Sequence, residues 1–324
     1  MMSWPDFSYK QVIVHQIKNK GEKIRFRADN IVILDSEESV LLQHSCHRLF
    51  ALFIIGDISL TSVLLKNSAK YRFPVILMNG NLKVVSRINC AAEGNTILRK
   101  KQYQLGGRAL EIGKELIRQK ISNQARLIKG LRRLSRENSD TLSCLSGINL
   151  DVVEDVYQLM GIEGNASKAF FSSYFSPLNW NRREPRCKRD INNVLLDIGY
   201  TFLFNFIELM LSLYGFDLYC GVMHSFFYQR KSLVCDMIEP FRCIIDRRIR
   251  KAHNLGQINV SDFVFKNGMY ALEWKEHNKY ARLFLKDILE QKENIFKFCQ
   301  QFYRWFMRDK EIKDFPQFRI MEVK

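Results

Sequence analysis

The hydrophobic pattern of the chain changes near residue 90, and this change constrains the fold more than any other feature of the sequence. Before it, short apolar or β-branched runs are separated by charged or polar turns, as in strands. After it, apolar residues recur at helical spacing over long segments. The pattern predicts an α+β protein, with a small N-terminal β-sandwich-like domain over residues 1–90 and a larger all-α C-terminal domain over residues 91–324.

Local sequence signals predict a turn, a helix and several strands in the first domain. The tripeptide Asn79-Gly80-Asn81 favours a hairpin turn between two apolar runs, and Ser59 is placed near the N-cap of one helix over residues 59–70. Several short strands with a single helix favour a small sandwich. The predicted strands cover residues 11–17, 22–26, 30–34, 40–43, 51–55, 74–78 and 82–88.

The second domain begins with a basic segment. Residues 99–136 hold twelve Lys or Arg and only two acids, Glu111 and Glu115, and their apolar residues recur at helical spacing. This predicts an amphipathic helix with a basic outer face. A solvated charged face is the alternative, but such faces usually mix both signs of charge. Because the chain carries a formal net charge of +16, nucleic acid is the favoured partner and an anionic membrane surface the second.

The remaining pattern predicts helices over residues 150–160, 192–214, 231–251 and 278–307, and a polar, frayed or partner-binding segment over the last fifteen residues. Charged and polar residues interrupt the apolar run 194–222, which favours a buried helix over a membrane span. The eight cysteines form no C-x-x-C pair. The sequence therefore predicts reduced thiols in a cytoplasmic protein, without a zinc site.

Two segments of the second domain each hold one residue that could do chemistry. Glu163 lies between Gly161 and Gly164, after one predicted helix and before another that starts at Ser167. Neighbouring glycines would let a ligand approach this carboxylate closely, and a surface or capping glutamate is the alternative. His224 ends a Gly-Val-Met-His run, where it is either a ligand or a hydrogen-bonded core histidine.

A third segment holds two carboxylates. Asp236 and Glu239 are three residues apart, which places them on one face of a helix. Carboxylates that close repel each other unless a cation or an arginine lies between them. Pro240 should distort the helix at this point, and Arg242 leaves a plain buried ion pair open as an alternative. Carboxylate oxygens together with an imidazole nitrogen suit Mg²⁺ or Mn²⁺.

Taken in order, these segments resemble the motifs of the CRISPR-associated integrases of spacer acquisition, a family of metal-dependent endonucleases. The family's Gly-x-Glu-Gly motif is matched around Glu163, and its Asn-x-x-Leu-x-x-x-Tyr motif by residues 193–200. Its Gly-x-x-His motif ends here at His224, and its long Ser-Leu-x-x-Asp-x-x-Glu-Pro-x-Arg motif spans residues 232–242. The family fold, an N-terminal β-domain and a helical C-terminal domain, agrees with the pattern described above.

The resemblance implies a chemistry and a set of partners. Glu163, His224 and Glu239 would hold Mg²⁺ or Mn²⁺, with Asp236 as an essential neighbouring carboxylate, and these four are the expected catalytic residues. The implied reaction inserts new spacer DNA into a CRISPR array by transesterification, through attack of a 3′-hydroxyl on a phosphodiester at the edge of a repeat. The implied partners are double-stranded DNA, a second copy in a homodimer and a small ferredoxin-like CRISPR adaptation subunit, without a membrane.

Basic side chains are expected to hold DNA phosphates without reading bases. The candidates are Arg126, Arg132, Arg133, Arg182, Arg183, Arg186, Lys188, Arg189, Arg242, Arg247 and Arg248. Two alternative functions stay open: a general metal-dependent DNA nuclease that cuts with water, and a non-catalytic nucleic-acid scaffold whose motifs only stabilise the fold. Metal dependence separates the scaffold from the enzymes, whereas the sequence does not separate the two enzymes.

Overall fold

The chain forms two compact units. The computed structural model describes residues 2–88, 94–178, 180–185, 187–224 and 227–320. The first unit comprises Met1–Ala91 together with Leu272–Leu283, and the second comprises Ala92–Ala271 and Phe284–Lys324. The first unit therefore takes in a late segment of the chain, beyond the boundary near residue 90 that the sequence suggested.

Strands lie mainly in the first unit and helices mainly in the second, so the predicted α+β class is confirmed. The strands of the described residues are β1 (Gln11–Gln16), β2 (Lys23–Arg27), β3 (Asn30–Leu34), β4 (Val40–Ser45), β5 (Leu49–Ile55), β6 (Val75–Met78), β7 (Val84–Ile88), β8 (Phe263–Lys266) and β9 (Met269–Leu272). The helices are α1 (Trp4–Ser8), α2 (Ser62–Tyr71), α3 (Thr96–Tyr103), α4 (Arg108–Lys129), α5 (Arg136–Ser146), α6 (Val156–Phe175), α7 (Ile191–Ser212), α8 (Ser232–Met237), α9 (Arg242–Asn254), α10 (His277–Glu290) and α11 (Lys292–Met307).

Two sheets make up the strand content of the first unit. One has the order β1-β5-β6-β7, in which β1, β5 and β6 run parallel and β7 antiparallel. The other is the antiparallel sheet β2-β3-β4. Because parallel neighbours need a crossover connection, β5 reaches β6 through α2. The predicted hairpin turn is confirmed, since β6 and β7 pair antiparallel around it, but the sandwich expected from the sequence is not confirmed.

Helix α2 begins later than the sequence predicted. Its N-cap is Thr61, whose hydroxyl accepts a hydrogen bond from the backbone N–H of Leu64 at 3.3 Å. The predicted helix over residues 59–70 thus began three residues too early, and Ser59 lies near the cap, two residues before it. Threonine serves equally well there because its side-chain oxygen satisfies one of the N–H groups that a helix leaves unpaired at its start.

The long basic segment is not one helix. It is divided into α3, α4 and the start of α5, and Gly106 adopts a left-handed backbone conformation (φ 53°) in the break before α4. The predicted basic outer face is also incomplete, because Lys120 of α4 is buried. This lysine lies on the same side of α4 as the buried residues Leu116 and Ile117, which turns a predicted surface charge into an interior one.

Other helix predictions in the second unit needed correction. Helix α6 begins only at Val156 and then runs without a break to Phe175, although the sequence suggested two helices there. The predicted helix over residues 231–251 is broken by a 3₁₀ turn at Glu239–Phe241, as expected from Pro240, which lacks an amide hydrogen. The predicted helix over residues 278–307 is divided between α10 and α11. Strands β8 and β9 were missed.

The core of the second unit is built on α7. Its most apolar window has a mean hydropathy of 1.6, enough by length and composition to cross a membrane, but 83% of that window is buried inside the protein. A core helix passes the same test, so the prediction of a buried helix fits the structure. The C-terminal segment is also packed: Phe315, Phe318 and Ile320 are buried, although the sequence suggested a frayed end.

Gly199 offers a test of this packing. A methyl group at Gly199 of α7 would overlap Ile245 of α9 and lie 3.0 Å from the ring of Phe284. We expect Gly199→Ala to lower the free energy of unfolding by about 1–3 kcal/mol, as overpacked cores do. In α6, a methyl group at Gly164 meets nothing within 4 Å, so Gly164→Ala should instead raise it by up to about 1 kcal/mol. Denaturant unfolding of both variants measures this, and equal stability of the two would contradict it.

Candidate active site

Four parts of the second unit meet at one small pocket. They are α4, α6, the loop that ends at His224, and the turn between α8 and α9. The pocket has a volume of about 40 Å³ and is lined by Ile117, Met160, Glu163, Met223, His224 and Glu239. Glu163, His224 and Glu239, the three residues that the sequence analysis named as ligands, are thus brought to one place although they are distant in sequence.

Asp236 holds the loop that carries His224. Its carboxylate is fully buried and accepts hydrogen bonds from the backbone N–H groups of Val222 at 2.6 Å, Met223 at 3.1 Å and His224 at 3.2 Å. It also lies 2.5 Å from Nδ1 of the His224 imidazole. Since a carboxylate only accepts, Nδ1 donates, and Nε2 is the ring nitrogen left for a ligand. The sequence left this acceptor unidentified, and the structure identifies it as Asp236.

Gly221 makes this arrangement possible. A methyl group at its Cα would lie 2.6 Å from Oδ2 of Asp236 and 2.7 Å from Cβ of Ser232. Only a residue without a side chain lets the backbone of the loop approach the carboxylate this closely. The glycine of the Gly-x-x-His motif therefore has a steric role, whereas the histidine supplies the chemical group.

Glu239 is fixed by two cations. Its Oε2 accepts hydrogen bonds from Nε of Arg242 at 2.9 Å and from Nζ of Lys120 at 2.7 Å. Burial alone would raise the pKa of Glu239, but Arg242 and Lys120 outweigh it and lower this pKa to about 2. The buried ion pair with Arg242, which the sequence left open as an alternative, is therefore present. Glu239 forms this ion pair and also lines the pocket.

Glu163 faces the same lysine from α6. The ammonium of Lys120 donates to Oε1 of Glu163, and Oγ of Ser167 donates to that same oxygen at 2.8 Å. Lys120 thus lies between two carboxylates. Burial would lower its pKa, but the charges of Glu239 and Glu163 raise this pKa above its ordinary value. The repulsion that the sequence suggested between neighbouring carboxylates is compensated by a cation that the sequence analysis did not single out.

A sequence signal for Lys120 existed. It falls within the apolar stripe of α4 that contains Leu116, Ile117 and Ile121, which is an unusual position for a lysine. A charged residue in a buried stripe needs a partner, and the acids of the later motifs were the candidates. Lys120 is one of twelve basic residues in the segment 99–136, and it was therefore assigned with them to the basic outer face.

A second layer lies behind Arg242. The guanidinium carbon of Arg242 is 4.6 Å from the ring centroid of Tyr200, and the hydroxyl of Tyr200 donates to Oδ1 of Asp246 at 2.5 Å. Burial raises the pKa of Asp246 to about 7, against the opposing effects of the Tyr200 hydrogen bond and of Arg242. The orientation of Glu239 therefore depends on a chain of contacts that extends from α9 to α7.

The structure changes the environment predicted for Glu163. Gly161 and Gly164 were expected to lie in a connection between two helices, but all three residues are inside the continuous helix α6. Their backbone is helical, and a methyl group at either glycine would meet nothing within 4 Å, so the close approach of a ligand to this carboxylate stays a prediction. Glu163 reaches the pocket because the helix presents it there, with Met160 one turn before it.

The basic residues predicted as DNA contacts differ in accessibility. Arg132, Arg133, Arg182 and Arg189 are exposed. Arg126, Lys188 and Arg247 are half-buried. Arg183, Arg242 and Arg248 form internal ion pairs with Asp197, Glu239 and Asp287, respectively. Arg186 lies outside the described residues. Arg182 and Arg189 also pair with Glu184, so among the exposed candidates Arg132 and Arg133 are best placed to meet a polyanion.

The chemical types of the donor groups in this pocket suit a divalent cation. Two carboxylates and one imidazole with a free ring nitrogen line a single pocket, and such donors hold Mg²⁺ or Mn²⁺ in proteins. Across residues 2–88, 94–178, 180–185, 187–224 and 227–320, however, no group of three or more His, Cys, Asp or Glu is already assembled for a metal. The cation that the two carboxylates hold is the Lys120 ammonium.

The chain is similar in sequence to known proteins. The model of the family described as "CRISPR associated protein Cas1" matches residues 16–286. The "CRISPR-associated endonuclease Cas1 1" of Thermodesulfovibrio yellowstonii is 30% identical over 275 residues, which is 80% of this chain and 86% of that protein.

Two solved structures share the fold. One, "Casposase bound to integration product", has a TM-score of 0.77 at 18% identity and covers 93% of this chain and 92% of its own. The other, "Cas6-RT-Cas1--Cas2 complex", has a TM-score of 0.80 at 19% identity and covers 98% of this chain and 37% of its own. The fold is thus that of casposase and Cas1 structures. The chain belongs to the CRISPR associated protein Cas1 family, and the resemblance inferred from its motifs is confirmed.

Asp246 leads to a prediction about pH. The pKa of Asp246 is raised from 3.8 to about 7 in the folded protein. The contribution of Asp246 to the free energy of unfolding should therefore be greatest below pH 4 and should fall as pH rises towards 7. The loss should be on the order of 4 kcal/mol. Asp246→Asn should remove this dependence, whereas Asp140→Asn, at an exposed position, should leave it unchanged. Denaturant unfolding between pH 4 and 8 checks this, and parallel pH curves for wild type and Asp246→Asn would refute it.

Proposed function

We propose that the protein is a metal-dependent DNA integrase and endonuclease of CRISPR adaptation. The observation that carries this proposal is the pocket in which Glu163, His224 and Glu239 come together within a chain of formal net charge +16. Membership of the Cas1 family supports it, as does the name of the Thermodesulfovibrio yellowstonii relative, an endonuclease. The proposed substrate is double-stranded DNA.

The proposed reaction exchanges one phosphodiester for another. The 3′-hydroxyl oxygen of incoming DNA forms a bond to phosphorus at the edge of a repeat, and the bond from phosphorus to the former 3′-oxygen breaks. The attacking hydroxyl loses a proton and the leaving oxygen gains one, so no oxidant or other co-reactant is needed. Bound by Glu163, His224 and Glu239, Mg²⁺ or Mn²⁺ would supply a Lewis acid for the phosphate.

The chain's own residues would position that chemistry. Asp236 keeps the imidazole of His224 in one orientation, and Arg242 keeps the Glu239 carboxylate directed at the pocket. Groups held this rigidly lower the barrier by orientation and by preorganised charge. Asp236 itself is fully buried behind the loop, so its proposed contribution is to orient His224 rather than to contact DNA.

The proposed assembly contains more than one chain. We propose a homodimer that acts with a small ferredoxin-like CRISPR adaptation subunit in the cytoplasm. The solved complex of similar fold, in which Cas1 occurs with Cas2, supports a partner of this kind. The same pocket would also support cleavage by water, so a general DNA nuclease remains the second candidate, favoured by the endonuclease name of the relative.

An integration assay tests the proposed site. We expect His224→Ala to abolish strand transfer of a 3′-hydroxyl DNA end in Mn²⁺, because one donor of the pocket is lost. Its stability should fall by only about 1 kcal/mol, since Asp236 keeps its backbone hydrogen bonds. His253→Ala is the matched control, because His253 bonds Asn192 at 2.7 Å and does not line the pocket.

The two variants and a chelator separate the functional classes. Strand transfer that survives His224→Ala, or that continues in the presence of chelator, would reject the metal-dependent enzyme and favour a different site. Cleavage without strand transfer by the wild-type protein would instead favour the general nuclease.

The exposed arginines lead to a prediction about how DNA binding depends on salt concentration. Replacing Arg132 and Arg133 together by Gln should weaken binding to all DNA sequences alike and reduce the slope of log K against log salt by roughly 1.8, about 0.9 per lost phosphate contact. A double Lys286→Gln, Lys297→Gln variant removes the same charge from exposed positions of α10 and α11. Fluorescence anisotropy at several salt concentrations measures both slopes. A slope for the arginine variant equal to that of the wild type would show that Arg132 and Arg133 meet no phosphate.

A further inference from the structure

Lys120 has a contact pattern that the proposed chemistry does not explain. Its side chain is only 8% exposed, and its ammonium donates to Glu163 and, at 2.7 Å, to Glu239. Burial of a lysine is costly unless the charge is paired and hydrogen-bonded. The pairing here uses oxygens of two residues that face the pocket, rather than an acid elsewhere in the core.

The ammonium and a divalent cation would share the same two carboxylates. A bound Mg²⁺ requires carboxylate oxygens at about 2.0–2.1 Å, yet Oε1 of Glu163 and Oε2 of Glu239 are directed at Nζ of Lys120. The pocket that both carboxylates line is small, with a volume of about 40 Å³. A divalent cation bound there by both carboxylates would therefore lie close to the ammonium and repel it.

The backbone beside Glu239 is held independently of Lys120. Asn123, one turn further along α4, donates from Nδ2 to the carbonyl oxygen of Pro240 at 3.0 Å. It also accepts a hydrogen bond from the backbone N–H of Ile320 at 3.0 Å. The turn that carries Glu239 thus has its own attachment to α4, and the lysine can leave without releasing the turn.

We propose that Lys120 is a positioning residue that holds Glu163 and Glu239 together in the metal-free protein and withdraws from both when a divalent cation binds. The inference rests on the proposed metal site. A lysine suits this role because its ammonium is a compact charge on a flexible four-carbon chain. It keeps two like charges close together before the metal arrives, so the donors do not have to be brought together afterwards.

Mn²⁺ titration calorimetry and thermal melts test the proposal in Lys120→Met and in a control, Lys129→Met, which alters an exposed lysine of the same helix. With chelator, we expect Lys120→Met to melt at a lower temperature than wild type, because the two carboxylates lose the cation that they share. It should bind Mn²⁺ about tenfold more tightly or better, because no internal cation competes. The control should match the wild type in both measurements.

Amine acetylation of the wild-type protein gives a second readout that needs no variant to fold. The acetylated fraction of Lys120, followed by mass spectrometry, should be low with chelator and rise with Mn²⁺, while that of Lys129 stays constant. Unchanged acetylation of Lys120, or unchanged Mn²⁺ affinity in Lys120→Met, would overturn the withdrawal of Lys120 and leave the metal site intact. Absence of Mn²⁺ binding by the wild type would overturn both the proposed metal site and this inference.

Discussion

Two carboxylates that face one small pocket would repel each other, and the helical unit is arranged to compensate that repulsion. Lys120 from α4 lies between Glu163 of α6 and Glu239 of the turn before α9. These three positions belong to different elements, so the electrostatic contact also fixes how the elements pack. The buried lysine requires the acids, and the acids require a cation, because none of these charges is tolerated alone in an interior.

Order in the pocket extends outward in two directions. Towards the loop, Asp236 uses every acceptor position it offers for backbone N–H groups and the imidazole of His224. Towards the core, the guanidinium of Arg242 packs over the ring of Tyr200, and the hydroxyl of Tyr200 donates a hydrogen bond to Asp246. The groups that would contact a ligand are therefore few, and most of the polar residues around them serve to hold those few in place.

Much of this could be predicted from the sequence. The change from strand-like to helical spacing gave the α+β class, and the resemblance of the motifs to those of the CRISPR-associated integrases implied that Glu163, His224 and Glu239 act together. Pro240 correctly marked a break, because a missing amide hydrogen acts locally. The parallel order of the four-stranded sheet could not be predicted, since short apolar runs do not specify which strand pairs with which.

The errors have physical causes as well. Gly161 and Gly164 suggested a connection between helices, yet a helix tolerates glycine at modest cost when its other face is buried. The start of α2 was placed three residues too early, since Ser59 and Thr61 are both suitable cap residues and local sequence alone does not choose between them. Lys120 was assigned to the surface with its basic neighbours because its acidic partners are distant in sequence.

The return of Leu272–Leu283 to the first unit has a consequence for the order in which the protein can fold. Within that unit, Gln16 of β1 bonds the backbone of Trp274 at 2.6 Å, and the ring of Trp274 covers Gly56 and Gly80. The first unit therefore stays incomplete on the ribosome until Ala92–Ala271 has been made, a delay on the order of ten to forty seconds at about 5–20 residues per second. During that interval the early strands lack the ring of Trp274, which covers Gly56 and Gly80 in the complete unit. A protein whose proposed catalytic groups all lie in the second unit thus completes its first unit only near the end of synthesis.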